Sequence, residues 1–296
     1  MADLTAIILT KNEELNIKKC IDSIRTVASR IVVIDSYSTD KTAELAESLG
    51  AEVVQHAFKN HATQFNWAIE NVGISTRWVM KLDADEVFTP ELAKETEEKL
   101  DKLPPTVNGI ILRRRVYFMG RWLRHGGKYP ELLLRIFRFG HGMSEMKHMD
   151  EHLMITDGEI VTFDHDFSDN NSKSLEWWIN KHNWYSNKEV YEQQIKASDT
   201  GIEGTAQSRQ ARAKRFVKNH GYYSLPRFFR AHLYFFYRYY IRLGFLDGTE
   251  GRIYTFLQAY WYRYLVDAKM YECEKYNSQI AEQGELIVAP KMFGGG

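Results

Sequence analysis

Short apolar runs alternate with amphipathic stretches over the first hundred residues. Thr5–Thr10 (Thr-Ala-Ile-Ile-Leu-Thr) reads as a strand and is followed by a helical stretch from about Glu13 to Arg25. Ile31–Ile34 is a second buried strand ending at Asp35. Ser38-Thr39-Asp40 then opens a helix through Leu49, where Gly50 is a natural stop. Glu52–Val54 is a third strand, Ala62–Asn71 a third helix, and Trp78–Leu82 a fourth strand that delivers Asp83. Strands that read as continuous apolar runs, separated by helices, predict an α/β fold: a Rossmann-like, mostly parallel sheet with helices on both faces. Ligands in such sheets bind at the carboxyl ends of the strands. Thr10, Asp35 and Asp83 all sit at those ends and should meet in one crevice.

Farther along, Ile110–Leu112 and Leu132–Phe137 read as strands, with the Gly- and Arg-rich segment Phe118–Lys128 between them. Beyond Ser172 the pattern becomes helical. Ser224-Leu225-Pro226 marks a helix start with Pro near its first turn. Apolar residues then recur as Leu225, Phe228, Phe229, Leu233, Phe236, Tyr240 and Leu243, while Arg230, Tyr234, Arg238 and Arg242 fall four apart on another face. After a break at Gly244-Phe245-Leu246-Asp247-Gly248, a second helix carries Ile253, Phe256, Leu257, Tyr260, Trp261, Tyr264 and Leu265. The expected organisation is an α/β unit over residues 1–205 and an amphipathic helical region over 206–290.

Charge changes this picture only locally. The 296 residues carry 39 basic and 39 acidic side chains. Residues 206–264, however, hold eleven Lys and Arg against only Asp247 and Glu250. Three readings compete for this basic, aromatic segment. Nucleic-acid binding lacks any recognisable module and is not expected. Plain helix packing with Arg on the solvated face is possible in principle. Association with an anionic membrane surface fits best, Arg meeting headgroups and Tyr, Trp and Phe entering the interface. No secretory leader and no apolar run of about 18 residues is expected to cross a bilayer. Cys20 and Cys273 have no metal-ligand spacing and read as free thiols of a reducing compartment.

The candidate chemistry lies in Asp83-Ala84-Asp85 at the end of the fourth strand. On an extended backbone, residues two apart point the same way, so two carboxylates would leave the strand tip together. Their repulsion calls for a cation, and hard Mg²⁺ or Mn²⁺ prefers such oxygens and keeps positions for phosphate. The first strand is followed by Thr10-Lys11-Asn12-Glu13-Glu14, without the glycines of a dinucleotide or Walker-type phosphate loop. Phosphates here would be held by metal and side chains.

Five ordered blocks carry a family resemblance: Leu9–Glu14, Ile34–Asp40, Lys81–Glu86, Gly120–Gly127 and Gly244–Gly248. Together they resemble the metal-dependent GT-A glycosyltransferases of family 2, in particular the bacterial branch that builds lipopolysaccharide core and other envelope glycans. Tyr37 departs from the pattern, standing where that branch usually carries Gly. The resemblance implies a nucleotide-sugar donor, with UDP the favoured nucleotide. Thr10, Asn12 and Glu13 would then meet base and ribose, Asp35 and Ser36 the base edge, and Gln64 and Asn66 would close over the nucleotide. Asp83 and Ala84 would face the ribose and sugar, and Asp85 would ligate the metal with His165 as a second candidate ligand. Asp35 and Asp40 also suit a helix cap, and His165 suits a structural hydrogen bond.

An inverting transferase needs a general base for the acceptor hydroxyl. Glu151 is the first candidate and Asp150 the second, both in Met149-Asp150-Glu151-His152. Arg121, Arg124 and His125 suit a diphosphate or acceptor phosphate, because guanidinium forks match phosphate oxygens. The expected function is transfer of a sugar to a glycolipid or lipid-linked glycan at the cytoplasmic face of the inner membrane. The competing reading is a non-catalytic nucleotide-sugar or glycan-binding protein; against it, Asp35, Asp83, Asp85 and Glu151 are all retained. A nucleotidyltransferase would need a glycine-rich basic loop where Thr10–Glu14 is acidic.

Overall fold

A computed structural model of the protein describes residues 1–145, 152–198, 221–276, 278–281 and 286–287. The α/β unit begins with β1 (Ala2–Thr10), α1 (Ile17–Ile24), β2 (Ala28–Asp35), α2 (Thr42–Ser48), β3 (Glu52–Gln55), α3 (His61–Asn71) and β4 (Trp78–Asp83). It continues with β5 (Glu86–Phe88), α4 (Pro90–Lys99), β6 (Val107–Phe118), β7 (Arg121–Trp122), β8 (Glu131–Arg138), β9 (Gly142–Ser144), β10 (Leu153–Ile155) and β11 (Glu159–Asp169). The main sheet runs β3-β2-β1-β4-β8-β6-β11-β5, with β7 paired to β6. Its first four strands are parallel, β8 enters antiparallel between β4 and β6, and β11 returns parallel to β6.

The apolar continuity of these strands follows from burial on both faces. Ile8, Met80 and Leu82 pack with Ile17, Ile21 and Ile24 of α1 on one side, while Ile7, Ile34 and Val79 pack with Phe65 and Phe137 on the other. Adjacent residues such as Ile7 and Ile8 thus serve opposite cores, as the two-residue strand period requires. Each fully buried side chain of this size is worth about 1.5–3 kcal/mol. Two helix starts, those of α3 and α4, are set by local caps. Asn60 accepts the Thr63 N–H at 2.7 Å ahead of α3, and Thr89 accepts the Leu92 N–H at 3.2 Å ahead of Pro90 in α4.

The helical part comprises α5 (Leu175–Ser198), α6 (Phe229–Phe236) with a π-helical extension Tyr237–Ile241, and α7 (Gly248–Thr255). A second π-helical stretch, Phe256–Trp261, leads into α8 (Tyr262–Tyr276). Helix α5 shares a core with α8 through Val190, Tyr262, Val266 and Cys273. It therefore packs with the C-terminal helices, although it precedes the expected boundary at 205/206, which lies outside the described residues. No helix among the described residues is long and apolar enough to cross a membrane.

Two expectations about this region are corrected. Helix α6 starts at Phe229 rather than at Leu225, because Phe228 takes φ 63° and gives its N–H to Asp267 at 2.8 Å. Two of the three arginines in the polar stripe face inward, while Arg242 stays exposed. Arg230 is 3% exposed and pairs with the fully buried Asp267, and Arg238 is 7% exposed and donates to the Gly126 carbonyl and, at 2.8 Å, to the Tyr234 hydroxyl. The apolar stripe is the outward one: Phe229, Leu233, Phe236, Tyr240 and Leu243 are all exposed. A buried guanidinium is tolerated only with its partners in place, and Asp267 and the Gly126 carbonyl supply them.

Candidate active site

The strand ends meet as expected. In the register of the sheet, Thr10 lies beside Asp35, and Leu9 beside Asp83. Asp35 is completely buried; it accepts from the Thr10 hydroxyl at 3.0 Å and from the Ser38 N–H at 2.9 Å. The loops after β1 and β2 are interlocked. Asn12 donates its N–H to the Ser38 hydroxyl at 2.8 Å and accepts the Thr39 N–H at 2.8 Å, and Glu13 N–H donates to Thr42 at 2.7 Å. Tyr37 has φ 55°, the left-handed region where a glycine would be unstrained, and its N–H is held by Gln55 at 3.1 Å. Its exposed ring stands at the rim of this site.

Gln64 of α3 is buried and donates to the Ser36 hydroxyl at 3.1 Å and to the His56 carbonyl at 3.0 Å. It is therefore part of the wall below Ser36 rather than a free donor. Asn66 exchanges two hydrogen bonds with the Ser144 backbone, at 2.8 and 2.9 Å, and so ties α3 to β9.

The acidic pair occupies the same crevice, by a different local geometry from the one expected. Only Asp83 belongs to the strand; Ala84 and Asp85 form a turn before β5. The turn is closed by Glu86, whose carboxylate accepts the Asp83 N–H at 3.0 Å. Arg135, from the middle of the apolar strand β8, reaches both acids: it pairs tightly with Glu86 and lies 3.6 Å from Asp83. Burial pushes the Glu86 carboxyl up, against the pull of Arg135. Enclosure works against ionisation of Asp83 as well, but Arg135 and Lys81 hold its carboxyl down at about 2. Asp83 is charged at any physiological pH, with 38% of its side chain open to the crevice.

Behind the turn, the segment Asp169–Lys173 staples three parts of the site together. Asn171 donates to the Asp85 carboxylate at 2.8 Å, and the Asn170 N–H donates to the Asp85 carbonyl at 3.0 Å. Lys173 pairs with Glu13 at 2.6 Å, and the Ser172 N–H donates to Asn16, which itself donates to Glu13. Asp169 pairs with Arg114 at 3.2 Å, and Arg114 also holds Glu131 at 2.6 Å. Burial pushes the Asp169 carboxyl up to about 6; Arg114 resists this, while Asp85 and Asp83 add to it. Three carboxylates thus repel one another around one opening, which a bound cation would relieve.

Among the described residues, no three His, Cys, Asp or Glu side chains converge to enclose a metal ion. The donor set still fits Mg²⁺ or Mn²⁺, because such ions in phosphate-handling sites take one or two carboxylates and complete their shell with phosphate and water. Asp85 is the carboxylate so placed, oriented through one oxygen by Asn171.

Several expected contributors lie elsewhere. His165 is drawn to α4, where its N–H and its ring Nδ1 meet the Glu95 carboxylate at 3.0 and 2.9 Å. The structural hydrogen bond is the reading it supports, and it does not bring His165 to Asp85. Arg121 and His125 turn toward the C-terminal helices, while the Arg124 side chain stays on Trp122. His125 and the N–H of Arg124 bind the buried Asp247 at 2.7 and 3.2 Å, Arg124 stacks 4.2 Å from the Trp122 ring, and Arg121 lies 3.9 Å from Glu250. The Gly120–Gly127 and Gly244–Gly248 blocks are two halves of one interface. Gly244 is required there because a Cβ would come within 2.8 Å of the Arg238 carbonyl oxygen. Asp150 and Glu151 lie outside the described residues.

Sequence reasoning missed Arg135, Arg114, Asp169, Asn171, Lys173 and Lys181. A signal existed for Arg135: a lone charge inside Leu-Leu-Leu-Arg-Ile-Phe is what a buried ion pair requires. The polar cluster Asp169-Asn170-Asn171-Ser172-Lys173 before a helix was a second.

Comparison with known proteins agrees with this architecture. The glycosyl transferase family 2 model matches residues 5–155, just over half of the chain. A Rickettsia bellii protein described as an uncharacterized glycosyltransferase is 40% identical over 94 residues, 32% of this chain and 31% of that one. The lipopolysaccharide core biosynthesis glycosyltransferase LpsC of Rhizobium meliloti is 29% identical over 165 residues, covering 53% of this chain and 58% of that one. The chain thus spans between about a third and under two thirds of the length of these curated relatives. Among solved structures, a mannosyltransferase from Pyrobaculum calidifontis in complex with GDP-Man and Mn²⁺ superposes with a TM-score of 0.54 at 16% identity, covering 91% of this chain and 87% of that one. The fold is GT-A, an α/β sheet with an added helical region, as the family resemblance implies.

Proposed function

Because the chain belongs to glycosyl transferase family 2, we propose that it is an inverting, metal-dependent transferase that moves a sugar from a nucleotide-sugar donor to a lipid-linked or lipopolysaccharide-core glycan. The observation that carries this reading is the acidic turn Asp83–Asp85 opening into the crevice that Thr10 and Asp35 line. Thr10, Asn12, Glu13 and the buried Asp35 form the nucleoside side, with Ser36 backed by Gln64. Asp83 and Ala84 face the ribose and the sugar. Asp85 holds Mg²⁺ or Mn²⁺, which when bound neutralises the charge that builds on the diphosphate.

In the transfer itself, the acceptor oxygen forms a bond to the anomeric carbon as the bond from that carbon to the diphosphate breaks. The bonding pair leaves with the diphosphate, and the acceptor proton passes to Glu151 or Asp150. UDP is the favoured nucleotide by family resemblance. The acceptor class rests on LpsC and on the same resemblance.

A thermal-shift panel of UDP-, GDP- and dTDP-sugars with and without Mn²⁺ tests the reading, since a ligand that binds only the native state raises its melting temperature. One donor should give a shift that requires the metal. Silence across the panel would favour a non-catalytic glycan-binding protein that takes no donor.

A membrane-bound acceptor fits the outward apolar stripe, and the enzyme is placed at the cytoplasmic face of the inner membrane on this reading. With Arg230 and Arg238 committed inward, attachment rests on Phe229, Phe236, Tyr240 and Ile241 entering the interface more than on charge. Sedimentation with anionic liposomes should therefore persist at high salt, and the double substitution Phe236→Ser/Ile241→Ser should weaken it about tenfold or more. No sedimentation of the parent protein at low salt would remove the membrane reading.

A further inference from the structure

The site holds more cationic groups than the expected chemistry uses, and most are already committed. Arg135 serves Glu86 and Asp83, Arg114 serves Glu131 and Asp169, and Lys173 serves Glu13. Lys181 differs. No carboxylate lies within ion-pair distance of it among the described residues, yet its charge interacts with Asp83, Asp85 and Asp169 together.

Its position is built rather than incidental. Asn171 and Lys173 staple the start of α5 to the acidic turn and to the loop after β1. One, two and three turns beyond Lys173, Trp177, Lys181 and Tyr185 follow at four-residue spacing on one face of the helix. The Lys181 ammonium stands 4.7 Å from the Trp177 ring and 5.6 Å from the Tyr185 ring. Two aromatic faces hold the cation without neutralising it. Burial opposes its charge, but Tyr185, Asp85, Asp169 and Asp83 keep its pKa above the ordinary lysine value.

We propose that Lys181 binds the diphosphate of the donor and stabilises the negative charge that develops there as the sugar leaves. The inference rests on the donor-site reading above. A cation fixed before the reaction stabilises developing charge without having to reorganise. Lys181 occupies the α5 side of the opening, and the Asp85 turn the strand side. A diphosphate between them would be held from two directions.

The test uses Lys181→Met and Lys181→Arg in the full chain, with binding measured by titration calorimetry and turnover by nucleotide release. For Lys181→Met, affinity for UDP or GDP with Mn²⁺ should fall about tenfold or more, the loss of one charge-assisted contact. Affinity for UMP or GMP should stay within about twofold by the same reasoning. Binding of Mn²⁺ alone should be unchanged or stronger, because a competing positive charge is gone. Turnover should fall about a hundredfold with the acceptor KM unchanged, and Lys181→Arg should recover most of both losses.

Equal loss of monophosphate and diphosphate binding would make Lys181 structural and overturn the proposal. So would a rise in acceptor KM with diphosphate affinity intact, which would assign the lysine to the acceptor. Failure of the parent protein to bind any nucleotide would overturn the donor-site reading itself, a result distinguishable from either.

Discussion

Asp85→Ala abolishes sugar transfer, by about a thousandfold or more, in a protein that remains folded: this is the expected result, and the geometry explains why the two effects separate. Asp85 sits in a turn and is only partly buried. Its carboxylate has one described side-chain partner, Asn171 at 2.8 Å, so its removal costs about 1 kcal/mol of stability. The backbone bond from the Asn170 N–H to the Asp85 carbonyl survives truncation. Removing a preorganised charge from the leaving-group side, by contrast, typically costs a factor of about a hundred to a thousand even for a single hydrogen-bond donor. Losing a metal site exceeds that. Steady-state nucleotide release and a melting curve on the same preparation decide it. Turnover within about tenfold of the parent by the folded variant would sink the assignment of Asp85 to the metal.

The fold was legible wherever burial imposes a repeating pattern. The strands from Thr5 to Leu82 read correctly because helices cover both faces of a parallel sheet and make most of their positions apolar, with few breaks such as Lys81. Thr10, Asp35 and Asp83 could be gathered from sequence because strand ends in such sheets share an edge. Legibility failed where one side chain decides between two backbones. Asp83 and Asp85 share the crevice through a turn closed by Glu86, and nothing in Asp-Ala-Asp distinguishes that turn from an extended tip.

The helical region shows a deeper limit. Periodicity identifies two faces on α6 but not which of them is inside. The usual rule placed arginine outward, and it fails because Asp267, 37 residues beyond Arg230, was not predicted to be buried beside it. The choice between the two readings of His165 turned on the same kind of distant partner, because Glu95 lies on a helix that the strand-end argument does not reach. The Gly120–Gly127 and Gly244–Gly248 blocks were visible as motifs, yet their meaning is mutual. Asp247 holds His125 and the Arg124 backbone, so two stretches distant in sequence carry one packing role.

Arg135→Met should be strongly destabilising, by about 3–5 kcal/mol at neutral pH, because it removes the tight partner of buried Glu86 and the cation 3.6 Å from ionised Asp83, leaving Glu86 only Arg114 at 4.0 Å. The sign of the pH dependence follows from Asp83. Asp83 is held low in the folded protein, so its contribution is present above the ordinary carboxylate value and is lost as pH falls toward about 2. Without Arg135 that contribution disappears. Glu86, pushed up to about 8 by burial even beside Arg135, is largely protonated at neutral pH with or without the arginine and adds little to the difference. The Asp83 effect makes the deficit larger at pH 7 than at about pH 2.5, below the ordinary carboxylate value. Urea melts at the two pH values measure it, and the double variant Arg135→Met/Glu86→Gln separates charge from packing. If the ion pair is what matters, removing both charges recovers most of the loss, since a matched pair costs less to delete together than singly. An unrecovered, pH-independent loss would instead assign Arg135 to packing against Phe167, whose ring lies 5.6 Å from the guanidinium. The acidic turn would then owe its shape to the Asp83 N–H bond to the Glu86 carboxylate and to the Asn170 and Asn171 contacts with Asp85.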